Sequence, residues 1–370
     1  MDFKRPLFSW RIGSFSAQQR RFSALELGYV SELPYIWAVC FIISVIVNMK
    51  RVVIFLLLGL GVVLFSCQKD NPDVLKPVDD VCSVMDDEGF KKYCLGSFDT
   101  NGDGILSMEE TAQVKTVSVT DRNFTSLKGI EYFSHLEVLF CEGNKLAFLD
   151  VTRNTDLTSL FCGSNNLTSL DVSKCSKLIY LDCLINKITS LDVSNCPELY
   201  YLNCGANKLS VLDLSNNPEL RQVNCHINKL SSLDVSKNPN LRFLMCTANG
   251  ISSLDVSMLL DLESLYCDKT DVSSLDVSKN AKLETLHCGE AKLTSLDISK
   301  NGRLKYISCA DNQIVSLDFS NNPALKEIYC PYNNLTSLDV TKNTNLTSCI
   351  CNPQAGGDII PVGWTGKTKY

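Results

Sequence analysis

Histidine and concentrated charge are both scarce in this sequence. It has three histidines among 370 residues, and its 35 basic and 41 acidic side chains give a formal net charge of −6. The basic residues are scattered rather than grouped, so there is no electrostatic footprint for a nucleic acid. His226 and His287 lie in repeats three periods apart, about 15 Å by strand spacing, which is too far to share a metal ion or a substrate atom. Because no nucleophile with a base and no acid pair in a pocket stands out, an enzyme is not expected.

The sequence also lacks a long apolar run. Two runs, residues 35–48 and 52–65, have 14 residues each, whereas a helix needs about 20 to cross a bilayer. A membrane anchor of two spans is therefore the weaker alternative. The basic segment Met49-Lys50-Arg51 precedes the second run, and a basic start followed by a short apolar core is the order of a secretory signal. We expect the signal to begin at Met49, with residues 1–48 upstream of the true start.

The end of the second run indicates lipid attachment. Leu64-Phe65-Ser66-Cys67 resembles a bacterial lipobox, and the following Gln68-Lys69-Asp70 resembles the tag that carries some Gram-negative lipoproteins to the outer face of the outer membrane. These resemblances imply cleavage before Cys67, lipidation of its thiol and a cell-surface location. The lipid would be the only contact with the membrane. Residues 49–66 are then the signal peptide, and residues 67–80 are the lipidated cysteine with a flexible tether.

The twelve residues from Asp99 to Glu110 follow the spacing of an EF-hand calcium loop. Such a loop needs oxygen ligands at positions 1, 3 and 5, glycine at 6, a backbone carbonyl at 7 and a bidentate carboxylate at 12. We find no second loop, which favours a structural calcium site over a sensor. The alternative is a solvated turn rich in Asp, Asn and Gly. The predicted module, residues 81–115, binds Ca²⁺ through Asp99, Asn101, Asp103, the carbonyl of Ile105, Ser107 directly or through water, and Glu110.

A period of 21 residues dominates the rest of the chain. The dipeptide Leu-Asp begins at residue 149 and returns every 21 residues up to 338, and cysteine does the same from residue 141 to residue 351. A period of 20 to 29 residues with this leucine spacing indicates a leucine-rich repeat. Each repeat, called a rung below, would bury its apolar side against its neighbours.

One rung shows what each position is predicted to do. Leu160 and Cys162 are two residues apart on a strand, so both point inward while Phe161 points outward. Asn165 follows where the chain turns, and its amide can bond backbone groups of neighbouring rungs that would otherwise be buried unpaired. The alternation around Asp171 predicts a second short strand on the opposite side. The expected fold is therefore a β-rich leucine-rich-repeat solenoid, with a parallel sheet on one side and short strands on the other, after a small helical EF-hand-like cap.

These repeats resemble the internalin family, and within it the internalin J type, in which a stacked cysteine replaces the third leucine. The resemblance covers residues 116–351, about 11 rungs, and residues 123–132 resemble an opening internalin repeat that is one residue longer than the others. It implies a right-handed curved solenoid that recognises a partner on its concave sheet. The family's cell-wall sorting signal is absent from residues 352–370, which we expect to form a C-terminal cap or tail.

The cysteine column is expected to hold buried, reduced thiols. Successive rungs lie about 4.8 Å apart with parallel side chains, whereas a disulfide needs Cβ atoms about 3.8 Å apart and specific torsions. A single column also offers no tetrahedron of zinc ligands. Two pairs remain candidates for a disulfide, Cys175 with Cys196 in the return turn and Cys82 with Cys94 near the calcium loop.

The residues that flank the cysteines vary from rung to rung, and many are aromatic. Aromatic side chains are favoured at interfaces because they bury much area with few torsions to freeze, although they also suit strands in general. A monomer that binds a protein partner is expected, and a glycan-binding accessory of nutrient acquisition is the alternative. The predicted contact residues are Tyr180, Tyr201, Phe243, Tyr266, Tyr306 and Tyr329, with Phe140 and Phe161 in earlier rungs.

One stretch departs from the repeat. Thr270 and Ala291 replace the expected asparagines, and Met258-Leu259-Leu260 replaces the usual Lys-Asn-Pro of the return turn. Exposed apolar groups there would indicate either a local partner or a relaxed repeat.

Overall fold

The computed structural model describes residues 76–366, so Cys67 and the predicted signal lie outside the described residues. Within them, twelve three-residue strands form one parallel sheet, in which each strand pairs with the strands before and after it in sequence. The predicted parallel sheet is confirmed. The strands are β1 (Thr116–Ser118), β2 (Val138–Phe140), β3 (Ser159–Phe161), β4 (Tyr180–Asp182), β5 (Tyr201–Asn203), β6 (Gln222–Asn224), β7 (Phe243–Met245), β8 (Ser264–Tyr266), β9 (Thr285–His287), β10 (Tyr306–Ser308), β11 (Glu327–Tyr329) and β12 (Ser348–Ile350).

The strand register follows the sequence period. Leu160 of β3 pairs with Leu181 of β4, 21 residues later, and the later strands repeat this offset. The first pair of described strands differs, because Val117 of β1 pairs with Leu139 of β2, 22 residues later. The opening repeat is therefore one residue longer than the others, as predicted.

The core is a stack of inward-pointing side chains from every rung. Leu160 and Cys162 are fully buried, whereas Phe161 between them is partly exposed, which confirms the predicted alternation. Burying a leucine contributes roughly 1.5–3 kcal/mol relative to leaving it exposed. Ordering the backbone of a rung offsets most of that gain. The stability of the solenoid therefore depends on the interfaces between rungs.

The asparagine three residues after each cysteine joins its rung to the one before. Asn165 Nδ2 donates to the carbonyl oxygens of Cys141 (2.9 Å) and Cys162 (3.0 Å), and its Oδ1 accepts from the N–H of Leu146 at 3.0 Å. The predicted role of this column, called the first asparagine column below, is confirmed. Equivalent bonds to two cysteine carbonyls are made by Asn186, Asn207, Asn228, Asn249, Asn312 and Asn333.

A second asparagine column lies in the return turn, where the sequence pattern predicts only turn residues. Asn217 is fully buried, and its Nδ2 donates to the carbonyl oxygens of Val193 (2.9 Å) and Cys196 (2.8 Å) in the preceding rung. Its Oδ1 is buried without a hydrogen bond. The amide therefore links rungs at this turn also, through its donor side only. The second column consists of Asn154, Asn217, Asn238, Asn280, Asn301, Asn322 and Asn343.

The side opposite the sheet differs from the prediction. The apolar positions around exposed Asp171 are buried as expected, but residues 170–172 form no strand, and only an isolated bridge joins Asp150 to Asp171. The cause is local, because Asp171 Oδ1 accepts from the N–H of Ser173 at 2.9 Å. A side-chain bond of this kind closes a turn and competes with pairing between strands. The same bond recurs in all ten rungs from Asp150 to Asp339.

Two short helices cover the N-terminal end of the sheet. A 3₁₀ turn (Val81–Val84), α1 (Glu88–Phe98) and α2 (Met108–Thr111) precede β1. Phe90 of α1 packs against Phe124 with ring centroids 5.9 Å apart. Asp87 caps α1, and its second oxygen accepts from the N–H of Thr125 at 2.7 Å. None of the helices within residues 76–366 is long and apolar enough to cross a bilayer.

The C-terminal end continues the first asparagine column with a different amide. Gln354 Nε2 donates to the carbonyl of Cys330 at 2.9 Å, and its Oε1 accepts from the N–H of Leu335 at 3.1 Å. The chain then returns beside the last rung, where the N–H of Val340 donates to the carbonyl of Val362 at 2.9 Å. These bonds satisfy polar backbone groups that the end of a solenoid would otherwise leave unpaired.

Candidate functional site

The outward side of the sheet carries the predicted partner-binding residues. We call this surface the sheet face. It consists of the first and third residues of each strand and, where a cysteine directly follows the strand, of the residue after that cysteine. All six predicted aromatic residues lie on it and are at least partly exposed, with Tyr180 and Tyr329 the most exposed at 40% and 43%. The predicted outward direction of these side chains is therefore correct.

Tyr180 and Tyr201 form one aromatic group. They are direct neighbours on β4 and β5, with ring centroids 6.5 Å apart, and Tyr200 lies 6.0 Å from Tyr180. Burial raises the pKa of Tyr201 to about 12, and the carboxylate of Asp182 contributes to the rise. The hydroxyl of Tyr201 therefore stays protonated and can donate a hydrogen bond at neutral pH.

Phe243 and Tyr266 form a second group, which also contains a histidine. The centroids of Phe243 and Tyr266 are 5.5 Å apart, and the ring of His287 lies 4.7 Å from that of Tyr266. The sequence prediction omitted His287, although its position 21 residues after Tyr266 places it in the same column. Burial lowers the pKa of His287, with Asp268 acting in the opposite direction. The imidazole is therefore neutral at pH 7.

The remaining aromatic residues do not join these groups. Within residues 76–366, no ring contact connects Tyr306 or Tyr329 to another aromatic side chain. Phe140 and Phe161 stack on each other near the N-terminal end, with centroids 5.0 Å apart. The predicted contact residues thus form three separate pairs and two single tyrosines.

Two carboxylates that the sequence prediction omitted stand beside the aromatic groups. Asp182 is fully engaged, since its Oδ1 accepts from the N–H of Leu184 at 3.0 Å and its Oδ2 from Asn203 Nδ2 at 2.8 Å. Asp268 accepts one bond from another residue, at Oδ1 from the N–H of Gly289 at 2.9 Å. Burial raises the pKa of both carboxyl groups. The residues next to Asp182 and Asp268 in the sequence do not predict that the first accepts two hydrogen bonds from other residues and the second only one.

His226 lies on another part of the sheet face, after β6. Its Nδ1 is 2.7 Å from Asn224 Oδ1, and burial lowers its pKa. Its ring covers Gly205 so closely that any side chain at that position would collide with the imidazole. The predicted separation from His287, which lies three strands further along, is confirmed.

The backbone of the predicted calcium loop is wrapped around Asp99. Asp99 Oδ1 accepts from the N–H of Gly102 at 2.7 Å, and its Oδ2 accepts from the N–H of Gly104 at 2.9 Å. Both glycines have positive φ, 73° and 82°, which only glycine adopts without cost. Asn101 and Asp103 each accept from an N–H two residues on, at 2.8 Å.

The last predicted ligand of this loop is already hydrogen-bonded. Glu110 accepts from the N–H of Thr100 at 2.7 Å and from the N–H of Ser107 at 3.0 Å, and with Ser107 it forms a capping box at the start of α2. These bonds lower the pKa of Glu110 to about 2. Within residues 76–366, no three His, Cys, Asp or Glu side chains are close enough together to hold a metal ion. A calcium ion bound by Glu110 would therefore compete with these hydrogen bonds.

The cysteine column holds free, buried thiols, as predicted. The two candidate disulfides are not formed. Cys196 replaces an asparagine of the second column, and its Sγ is 3.8 Å from the carbonyl oxygen of Val172 and 3.6 Å from that of Cys175, while Cys175 makes the equivalent contacts one rung earlier. Each thiol therefore points at backbone carbonyls rather than at the other sulfur. Cys82 and Cys94 are likewise free and buried.

In the irregular stretch of residues 258–260, two side chains are exposed and the one between them is buried. Met258 and Leu260 are 54% and 59% exposed, but Leu259 between them is fully buried in the second asparagine column. The expectation of exposed apolar groups therefore holds for the outer two residues and is wrong for Leu259, because that position points inward. Thr270 Oγ1 donates to the carbonyl of Cys267, in its own rung, at 2.8 Å.

Comparison with known proteins agrees with this architecture. A family model described as the leucine-rich-repeat domain of At1g61320/AtMIF1 matches residues 102–222. A comparison with curated proteins finds no matching sequence. Among solved structures, the functional domain of InlJ from Listeria monocytogenes, which includes a cysteine ladder, matches at 34% identity and a TM-score of 0.71 over 78% of this chain. This chain covers 63% of the length of that one.

Two more distant structures share the fold. The internalin InlF of Listeria monocytogenes matches at 18% identity and a TM-score of 0.61, covering 79% of this chain and 99% of its own. A leucine-rich-repeat protein of Leptospira interrogans matches at 18% identity and a TM-score of 0.55, covering 76% of this chain and 83% of its own. The period, the parallel sheet and these matches together make residues 116–351 a leucine-rich-repeat solenoid with a cysteine ladder.

Proposed function

We propose that this protein binds a protein partner through the sheet face while a lipid on Cys67 holds it on the outer surface of a bacterial outer membrane. The observation that carries the proposal is a contrast between the two sides of the sheet. Inward positions repeat leucine and cysteine from rung to rung, whereas the sheet face varies and brings Tyr180 next to Tyr201 and Phe243 next to Tyr266. A rigid scaffold with variable, partly exposed aromatic side chains suits recognition rather than catalysis.

A pull-down tests the sheet face directly. The wild-type protein would be compared with the triple variant Tyr201→Ala, Phe243→Ala, Tyr266→Ala against host-cell protein and glycan extracts. The control variant Phe148→Ala, Tyr332→Ala removes two exposed aromatic side chains that lie outside the sheet face. A protein retained by the wild type and the control but lost by the triple variant supports the proposal.

The same experiment decides between partner classes. Retention of a glycan instead of a protein, with loss in the triple variant, would favour the accessory of nutrient acquisition. A ligand bound equally by all three proteins would move the binding site off the sheet face. Circular dichroism of each variant shows whether the solenoid remains folded.

The calcium proposal rests on spacing and on the form of the loop. Asp99, Asn101 and Asp103 supply oxygens in register, and Gly104 makes the turn at position 6 with positive φ. Calcium would then order the N-terminal cap rather than act as a switch. Calorimetric titration should show calcium binding to the wild type and to Glu109→Gln, which removes an exposed acid next to the loop, but not to Asp99→Ala. Equal heats from the wild type and Asp99→Ala would show that this loop does not bind calcium.

A further inference from the structure

The second aromatic group has an open carboxylate at its side. Tyr266 and Asp268 are two residues apart and both lie on the sheet face, and the next rung adds the ring of His287, 4.7 Å from that of Tyr266. Asp268 Oδ2 accepts no hydrogen bond from any other described residue, because its one such bond, from Gly289, goes to Oδ1. A partly buried carboxylate oxygen without a donor from another described residue therefore lies beside the aromatic group of Phe243, Tyr266 and His287.

Asp182 shows what a closed version of this arrangement looks like. It also lies beside aromatic side chains, but Leu184 and Asn203 occupy both of its oxygens. Burial raises the pKa of Asp182 and of Asp268 alike. Asp268 is also desolvated, but it accepts fewer hydrogen bonds from other residues than Asp182 does, and a buried charge without a partner is costly.

Within residues 76–366, no lysine or arginine forms an ion pair with Asp268. The sheet face contains neither lysine nor arginine at any of its positions, whereas it carries four acids, Glu142, Asp182, Asp268 and Glu327. The nearest lysine in sequence, Lys269, is paired with Glu290 at 3.1 Å. His287 and Asp268 attract each other, but burial outweighs this attraction and lowers the pKa of His287, so the imidazole carries no full charge at pH 7. A lysine or arginine that pairs with Asp268 Oδ2 would therefore come from a binding partner.

The rung that holds Asp268 is also where the repeat is least regular. Leu259 interrupts the second asparagine column there, and Thr270 interrupts the first. The first column is interrupted again one rung later, at Ala291. Departures from a repeat's own rules are expected at functional positions, where stability is traded for binding. In this protein the departures lie in the rung of Asp268 and the next one, and Asp268 is the carboxylate with an oxygen that accepts no bond from another described residue.

We propose that Phe243, Tyr266, Asp268 and His287 form the recognition site for a basic side chain, an arginine or a lysine, of the protein partner. This inference rests on the proposed function and names the chemistry of the partner. The cation lies against the exposed part of the aromatic group formed by Phe243, Tyr266 and His287, and it donates to Asp268 Oδ2. Stacking on an aromatic face and a charge-assisted hydrogen bond to a carboxylate are the two interactions that such a cation makes best.

Peptide binding tests the site with matched charge changes. The probe is a fluorescein-labelled peptide of three Arg-Gly-Ser units, compared with the same peptide carrying uncharged citrulline in place of arginine, by fluorescence anisotropy with the full chain. Asp268→Asn removes the open carboxylate but keeps an acceptor for Gly289. Glu327→Gln removes the same charge elsewhere on the sheet face, at an exposed position.

We expect the arginine peptide to bind the wild type and the citrulline peptide to bind at least ten-fold more weakly. A hydrogen bond to a charged group contributes enough for Asp268→Asn to weaken arginine-peptide binding by roughly ten-fold or more. Glu327→Gln should weaken it less than two-fold, and Tyr266→Leu should weaken it by roughly two- to ten-fold. Thermal melts of the variants confirm that they are folded.

Three results would overturn the inference: equal losses in Asp268→Asn and Glu327→Gln, equal binding of the citrulline peptide, or no binding of the arginine peptide at millimolar concentration. The first would mean that only the general negative field of the sheet face attracts the peptide. If the pull-down partner is lost in the aromatic triple variant but is indifferent to Asp268→Asn, the proposed function stands and the basic-residue site is wrong. If the triple variant keeps its partner, the proposed function itself fails.

Discussion

Asn165 and Cys141 are joined across two rungs by a hydrogen bond of 2.9 Å from the amide Nδ2 to the carbonyl oxygen. The same bond recurs along the first asparagine column but is missing at Thr270, whose hydroxyl reaches only the carbonyl of Cys267 in its own rung. An asparagine at position 270 would reach the carbonyl of Cys246 as well. The interface before β8 therefore lacks a bond that most other rung interfaces have.

Restoring that bond should stabilise the protein. Thr270→Asn adds a donor for the Cys246 carbonyl and an acceptor for the N–H of Ile251, so we expect a gain of about 1–2 kcal/mol in the free energy of unfolding. Urea unfolding followed by circular dichroism measures it. Asn165→Thr, which introduces the same defect into a regular rung, should lower the stability by about 1–3 kcal/mol. A loss of stability in Thr270→Asn would show that the interface at β8 has no room for the amide.

The buried thiols should be unreactive in the native protein. Burial raises the pKa of Cys309 to about 12 and that of Cys175 to about 12, and the thiolate is the form that iodoacetamide attacks. We therefore expect mass spectrometry to find the cysteines of residues 141–330 essentially unlabelled after treatment at pH 8, and fully labelled after unfolding in guanidinium without a reductant. Cys175 and Cys196 that stay unlabelled after unfolding would instead reveal a disulfide between them.

The repeat pattern predicts the parts of the fold that depend on periodicity. A 21-residue period places Leu160, Cys162 and Asn165 on equivalent positions of every rung, so burial, strand direction and the first asparagine column all follow from it. The strand expected around Asp171 does not form, because a bond from Ser173 to the aspartate bends the chain locally. Periodicity alone cannot distinguish an alternating strand from a repeated turn with the same burial.

The site is less predictable than the fold for a different reason. The outward direction of Tyr266 follows from its position next to a cysteine, but the open oxygen of Asp268 depends on which neighbours happen to offer a donor. Asp182 and Asp268 are both acids beside aromatic side chains, but Asp182 ends a strand and accepts from Leu184 and Asn203, whereas Asp268 follows a cysteine and accepts from Gly289 alone among other residues. To predict which carboxylate keeps an open oxygen, one must know which residues of the next rung lie beside it, and the sequence of a single rung does not give this.

The carboxylate of Glu110 should make the stability of the N-terminal cap depend on pH. Its bonds to Ser107 and Thr100 lower its pKa from the ordinary 4.5 to about 2. A pKa lowered by folding contributes stability that is present above the unfolded value and is lost as the pH falls through the folded value. We expect Glu110→Gln to lower the melting temperature at pH 7, and the difference from the wild type to shrink between pH 4.5 and pH 2.

Because Glu110 is exposed to solvent, we expect this shift of the melting temperature to be small and to fall with added salt. Calcium-free buffer keeps the effect separate from metal binding. Glu109→Gln, which changes the adjacent exposed acid, should melt like the wild type at every pH. A difference between Glu110→Gln and the wild type that grows on acidification would mean that the bonds to Ser107 and Thr100 do not form in solution.

Lipid attachment at Cys67 can be separated from the alternative of a two-span anchor by a single substitution. In cells fed an alkyne analogue of palmitate, we expect the wild type to be labelled and Cys67→Ser to lose the label, because the thiol is the acceptor of the lipid. Cys40→Ser, in the segment expected to lie upstream of the true start, should be labelled like the wild type.

Two membrane spans would leave both variants in the membrane fraction at the same mass, since no signal would be removed. A lipoprotein would instead show Cys67→Ser as a larger, uncleaved precursor. Protease treatment of intact cells then distinguishes an outward from a periplasmic orientation, because only an outward solenoid would be cut.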